Sequence, residues 1–196
     1  MDKSLSETPQ ALAAFVQVLL QTIENKSAGL ASRVRAEMDP AVLKDIETAS
    51  RISWLPLGHH VALTECTYHE GSRGQGSEIC RQAVLESFAQ PFLSPIIRGA
   101  LTVLGPSMAD FSRWTPKAWV ALFRGVGELA WVPGGAGAST LLLAPAHPQI
   151  LRSPDYIEGI AGSFSALFEI THTTGTIRAR ADDSRVIFDL TWTSQS

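Results

Sequence analysis

The sequence predicts an α+β fold, in which a helical N-terminal half packs on a small antiparallel ββαββ-like sheet in the C-terminal half. Two patterns support this prediction. Near the N-terminus, apolar residues recur with the spacing of one helical face, at Leu12, Phe15, Val16, Leu19, Leu20 and Ile23. Near the C-terminus they alternate as along a half-buried strand, at Val186, Phe188, Leu190 and Trp192. The length suits one domain over residues 1–196, with a helical part at 8–124 and a sheet-containing part at 125–194.

Capping residues divide the helical half. Thr8 is a good N-cap, and Pro9 then occupies the first helical position, where its missing N–H costs nothing. Ser27 and Asp39 are expected to begin two further helices in the same way.

The glycine-rich stretch at 69–80, HEGSRGQGSEIC, has the glycine spacing of a phosphate-binding loop. It lacks the lysine of that motif, and Glu78 would place a negative charge beside the phosphates. We therefore interpret the stretch as a hinge, in which a helix over 54–70 ends at Gly71 and the next helix begins at Ser77.

Further helices are expected at 96–104 and at 108–113. A new helix is then expected to begin at Thr115-Pro116, because a capping residue followed by proline is typical of a helix start. Two strands around the glycine-rich turn at 134–137, a helix after Pro154 and a closing hairpin complete the ββαββ order.

Composition limits the classes of function. Apolar residues make up 45% and charged residues 18%, as in a globular protein. The net charge of −3, with no run of Lys or Arg, argues against nucleic-acid binding. No window reaches the roughly 18 uncharged apolar residues of a membrane span. Two cysteines are too few for a disulfide framework, so we expect a cytoplasmic protein.

A candidate metal site involves Cys66, His69 and Cys80. Cys66 and His69 are neighbours at i, i+3 on one helix, and Cys80 on the following helix could supply a third ligand. No standard metal-binding spacing is present. The simpler interpretation is a buried cysteine beside exposed histidines, and we expect no cofactor.

The sequence predicts no enzymatic activity. No G-x-S-x-G motif occurs, and Cys66 with His69 on one helix is poor geometry for a nucleophile–base pair.

Aromatic residues supply the candidate ligand or partner site. They could line a hydrophobic cavity or an interface, although core packing is the commoner role of each singly. The candidate residues are Trp54, Tyr68, Trp114, Trp119, Phe123, Arg124 and Tyr156.

Several motifs resemble a family of uncharacterised myxobacterial paralogues of about this length. They are W-x-P-x-x-W, R-x-x-G and Y-x-x-G-x-x-G, followed by a closing strand with a Trp. The matching residues are Trp114, Pro116, Trp119, Arg124, Gly127, Tyr156, Gly159, Gly162 and Trp192.

More distantly, the glycine-containing helix and terminal hairpin are similar to the vinyl-reductase domain, a ligand-binding relative of the TRAPP vesicle-tethering subunits and of haem–NO-binding proteins. The chain lacks the Y-x-S-x-R haem-propionate motif and the cysteine cluster of some vinyl-reductase domains. Gly159 and Gly162 are instead expected to let the last helix approach its neighbours closely.

The leading functional hypothesis is therefore a non-enzymatic regulatory or scaffolding module that acts through protein–protein interaction and forms a homodimer. The alternative is a sensor domain that binds a small hydrophobic ligand in a cavity between the helices and the sheet.

Overall fold

The computed structural model of the chain describes residues 8–89 and 107–194. Its helices are α1 (Ala13–Lys26), α2 (Ala28–Glu37), α3 (Pro40–Thr48), α4 (Leu57–Glu70), α5 (Arg73–Ala89), α6 (Met108–Leu122), α7 (Pro148–Leu151) and α8 (Pro154–Ile170). Its strands are β1 (Gln10–Leu12), β2 (Trp54–Pro56), β3 (Phe123–Arg124), β4 (Glu128–Pro133), β5 (Ala138–Ala144), β6 (Thr173–Ala181) and β7 (Val186–Ser194). The predicted helix at 96–104 lies outside the described residues.

The α+β prediction is confirmed, with helices in the N-terminal half and a sheet in the C-terminal half. The main sheet is antiparallel, in the order β4-β5-β7-β6. Because α8 connects β5 to β6, the chain follows the predicted ββαββ order. The alternating residues Val186, Phe188 and Leu190 are buried, so the inner face of β7 belongs to the core.

A second sheet of three short antiparallel strands, in the order β2-β1-β3, was not predicted. Ala11 on β1 pairs with Leu55 on β2 and with Phe123 on β3. The predicted helix starts at Pro9 and Trp54 are therefore wrong, because both segments first form strands. Local capping patterns carry no information on this pairing, which joins residues far apart in the chain.

The predicted helix start at Thr115-Pro116 is also wrong. α6 begins after Ser107, whose hydroxyl accepts from Asp110 N, and runs unbroken through Pro116. An internal proline usually costs about 3 kcal/mol, but the apolar stripe of α6 is buried on both sides of it, at Phe111 and Trp119.

The hinge at 69–80 is shorter than predicted. Gly71 ends α4 as expected, but α5 already begins at Arg73, where the Ser72 hydroxyl accepts from Gln75 N at 3.2 Å. Ser77 is therefore inside the helix, and its hydroxyl lies 2.9 Å from the Tyr68 hydroxyl.

The helix α8 lies close against α4 and α5 at two glycines. A Cβ on Gly159 would lie 2.7 Å from Thr64 Cγ2, and one on Gly162 would lie 2.8 Å from the Ser77 carbonyl oxygen. These distances agree with the predicted role of both glycines, because a larger residue would push the helices apart.

None of the helices within the described ranges has the length and hydropathy needed to cross a bilayer.

A pair of glycine substitutions tests the helix contact. Gly162→Ala should lower the free energy of unfolding by about 1–3 kcal/mol, because its Cβ meets backbone atoms of α5 that have little room to move. Gly74→Ala on α5 is the control, since no atom lies within 4 Å of its Cβ, and it should be neutral or slightly stabilising. Urea unfolding measures both; equal effects of the two variants would contradict the close packing of α8.

Candidate functional site

A cavity of about 130 Å³ lies among the helices. Side chains of α1, α4, α5, α6 and α8 line it, together with Phe123 of β3. Among the described residues, no side chain of the four-stranded sheet lines the cavity. Phe164, which lines it, packs edge-on against Phe188 of β7 at 5.1 Å between ring centroids, and so lies between the cavity and that sheet.

Aromatic side chains form much of the cavity wall. Four of them, Trp114, Trp119, Phe123 and Tyr156, belong to the candidate set from the sequence. The rings of Trp119 and Phe123 lie 4.3 Å apart, centroid to centroid. The other aromatic residues of the wall are Phe15, Phe88, Phe111 and Phe164.

The remaining candidates lie elsewhere. The Arg124 guanidinium stacks 3.8 Å above the Trp54 ring, beside the three-stranded sheet. Tyr68 packs under Gly76, where a Cβ would lie 2.6 Å from the ring. The cavity wall thus includes the candidate residues of α6, β3 and α8, whereas Trp54, Tyr68 and Arg124 are not part of it.

One polar pair lies within this apolar wall. His60 is 6% exposed and Tyr156 is 1% exposed, and His60 Nδ1 lies 2.9 Å from the Tyr156 hydroxyl oxygen. Burial lowers the pKa of His60 to about 3, so the imidazole is neutral at physiological pH. The same burial raises the pKa of the Tyr156 phenol, which keeps its proton.

The sequence analysis did not place His60 among the candidate site residues. Its burial could have been predicted from its spacing. His60 follows Leu57 by three residues and precedes Thr64 by four, and both are buried on α4. The adjacent His59 occupies another side of the helix, where Nε2 lies 3.2 Å from Asp45 Oδ2.

The proposed metal ligands occupy different environments. Cys80 is buried and lines the cavity, whereas the His69 side chain is 72% exposed at the end of α4. Burial raises the pKa of Cys80 to about 12 and, together with nearby carboxylates, that of Cys66 to about 11. Both thiols are therefore protonated at neutral pH and are poor nucleophiles.

Within the described ranges, the group of three ligating side chains close enough for one ion comprises Glu37, His69 and Glu70, and neither cysteine. His69 Nδ1 lies 2.7 Å from Glu37 Oε1, and Arg33 Nε donates to Glu70 Oε2 at 3.0 Å. These contacts form an exposed ion-pair network between α2 and α4, which explains the cluster without a metal.

Comparison with known proteins gives similarity at the level of the fold. No protein-family model and no curated protein matches the chain. Among solved structures, an Fe(II) unliganded H-NOX mutant from K. algicida aligns with TM-score 0.61 and 11% identity, covering 93% of this chain and 97% of that one.

Two other H-NOX structures align over a similar length. A point mutant of the H-NOX protein from T. tengcongensis gives TM-score 0.59 at 10% identity, covering 93% of this chain and 98% of that one. An oxygen-binding H-NOX domain related to soluble guanylate cyclases gives 0.57 at 11%, covering 93% and 95%. At such identities the alignments establish a similar fold.

These comparisons correct two predictions. The matching structures are H-NOX domains, so the vinyl-reductase and TRAPP-like assignment is wrong, and the myxobacterial resemblance gains no support. The leading hypothesis of a scaffolding module is wrong as well, because one of the matching structures is described as an oxygen-binding domain and the candidate aromatic residues of α6 and α8 line a cavity.

The H-NOX family is described as containing haem, and the cavity does not fit that group. The described residues of the wall include no charged side chain that could pair with the haem propionates. The cavity is comparable in volume to the engineered cavity of about 150 Å³ that binds benzene.

The donor set contains one possible iron ligand. Haem iron is held by histidine, thiolate, methionine or tyrosinate ligands. The neutral imidazole of His60 is such a donor, whereas the Cys80 thiol and the Tyr156 phenol keep their protons. The described wall therefore holds one histidine but no cationic group for the propionates, so it does not fit a whole haem.

The buried imidazole predicts a specific acid sensitivity. Below the unfolded-state pKa of about 6.5, the unfolded chain takes up a proton at His60 that the folded protein does not accept, so stability falls as the pH falls. Between about pH 6 and pH 5, the loss should be roughly 1 kcal/mol greater than in His60→Asn.

Urea unfolding at several pH values measures this difference. Identical slopes in the two proteins would contradict this expectation, because they would mean that His60 takes up its proton as readily in the folded protein as in the unfolded chain.

Proposed function

We propose that this chain is a sensor domain that binds a small, uncharged, hydrophobic molecule in the cavity among α1, α4, α5, α6 and α8. The observation that carries the proposal is a site of about 130 Å³ whose described wall is mainly aromatic and aliphatic, with a few polar groups and no charge. Apolar walls with a few convergent polar groups are typical of small-molecule sites.

The size of the site sets the size of the ligand. An apolar cavity of about 150 Å³ stays free of water and binds benzene or xenon, because its walls offer a water molecule no hydrogen bonds. A molecule of this class would regain dispersion contacts along the aromatic wall, contacts that the empty cavity lacks.

The fold similarity supports a sensory role. One of the matching domains is described as oxygen-binding and as related to soluble guanylate cyclases. We assign a comparable role to this chain, but with the ligand held directly by side chains. The proposal assigns no catalytic step to the chain; the cytoplasmic location and the homodimer remain predictions.

The cavity can be filled by substitution. Ala118 of α6 lines it, whereas Ala109 on the same helix is also half-buried and lies outside the wall. Benzene at a tenfold excess over its Kd should raise the Tm of the natural sequence by about 3 °C. Ala118→Leu should lose this shift, because its added carbons occupy the ligand's space, and Ala109→Leu should keep it.

Scanning calorimetry with and without benzene measures all three proteins. No shift in the natural sequence, or the same shift in Ala118→Leu, would contradict a ligand site in this cavity. Freshly purified protein with the Soret absorption of bound haem would contradict the proposal as well.

A further inference from the structure

Within the described residues, one of the two ring nitrogens of His60 has a hydrogen-bond partner. Its Nδ1 lies 2.9 Å from the Tyr156 hydroxyl, and the rings of Phe15 and Phe123 pack on the imidazole with centroids 5.2 Å and 5.9 Å away. The hydrogen bonds among the described residues give Nε2 no acceptor.

The hydrogen bond with Tyr156 determines which ring nitrogen of His60 carries the hydrogen. We assign the phenol as the donor, because the hydrogen bonds among the described residues give its buried hydrogen no acceptor other than His60 Nδ1. A neutral imidazole that accepts at Nδ1 carries its hydrogen on Nε2. Tyr156 therefore fixes His60 as a donor through Nε2, in a side chain that lines the cavity.

Three hydroxyl groups of the wall differ from His60, because their hydrogens are already used. Thr64 donates to His60 O at 2.9 Å, Ser87 to Ala83 O at 2.7 Å and Thr115 to Phe111 O at 3.0 Å. Each of these bonds lies within the residue's own helix, so none of the three hydroxyls offers its hydrogen to a ligand.

We propose that the ligand carries one uncharged hydrogen-bond acceptor and that His60 Nε2–H donates to it. This inference rests on the proposed function, since it concerns the same cavity. An ionised ligand does not fit, because the described part of the wall bears no charge that could offset its loss of hydration. A ligand without an acceptor would leave the buried N–H unpaired.

Two probes of the same shape test this step. Benzonitrile has an acceptor nitrogen where phenylacetylene has a C–H group, and both are only slightly larger than benzene. For each protein, the Kd for phenylacetylene is divided by the Kd for benzonitrile. Comparing this ratio between a variant and the natural sequence cancels the difference in hydration between the two probes. The natural sequence should favour benzonitrile by about two- to tenfold more than a variant without the Nε2 donor.

The variants separate the two ring nitrogens. His60→Asn keeps a polar group near the position of Nδ1, where Tyr156 can bond to it, but has nothing at Nε2; it should bind phenylacetylene and lose the preference for benzonitrile. His60→Gln places an amide near Nε2 and should keep the preference. Ser163→Ala removes another hydroxyl of the wall and should also keep it.

The outcomes distinguish this inference from the proposed function. If neither probe binds the natural sequence, the proposed function fails. If both bind and His60→Asn has the unchanged ratio, the ligand site stands and the role of His60 is wrong.

A spectroscopic measurement does not depend on the variants folding. The ¹⁵N chemical shift of His60 Nε2 should respond to benzonitrile and not to phenylacetylene; equal responses would overturn the inference.

Discussion

The close approach of α8 to α4 and α5 determines where the cavity lies and which side chains face it. At Gly159 the absence of a Cβ lets the α8 backbone come within contact of Thr64 and Cys80, and at Gly162 it comes against the backbone of Ser77. This contact places Tyr156, one turn before Gly159, opposite His60 on α4. The polar pair in the wall is thus a consequence of helix packing at two glycines.

The same contact is reinforced at the N-terminus of α8. The Ser153 hydroxyl accepts from Tyr156 N at 3.2 Å and donates to Glu65 Oε1 at 2.5 Å. Tyr156 and Ser153 therefore each connect α8 to α4 by a side-chain hydrogen bond, one inside the cavity and one beside it. A ligand that moved α8 would have to disturb both bonds, which gives the site a physical link to the first turn of that helix.

The chemistry of the wall separates this chain from a haem protein of similar fold. Haem propionates are usually paired with cationic side chains, whereas the described wall bears no charged residue. The similarity in fold would suggest a haem, whereas the chemistry of the described wall suggests an uncharged ligand. The chemistry of the site is the better guide to the ligand.

The sequence was informative where its patterns are local. The helical stripe of α1 and the alternation of β7 depend on residues close in the chain, so the α+β class followed from them. The pairing of β1 with β2 and β3 depends on distant segments, so Thr8 and Pro9 suggested a helix start where a strand forms. Ser77 was a plausible cap, but Ser72 lies nearer the end of α4.

The candidate site was predicted in part for the same reason. Trp114, Trp119, Phe123 and Tyr156 were noted as aromatic residues, yet only the fold distinguishes them from Trp54, which stacks with Arg124 outside the cavity. The role of His60 depends on its contact with Tyr156, which lies 96 residues later in the chain, and no local spacing predicts that contact.

The most direct measurement is a crystal structure of the purified protein under xenon pressure, because xenon enters apolar cavities without needing a hydrogen bond. The account predicts xenon bound between Phe111, Tyr156 and Phe164, with the surrounding helices unmoved. A cavity that contains no xenon would contradict it.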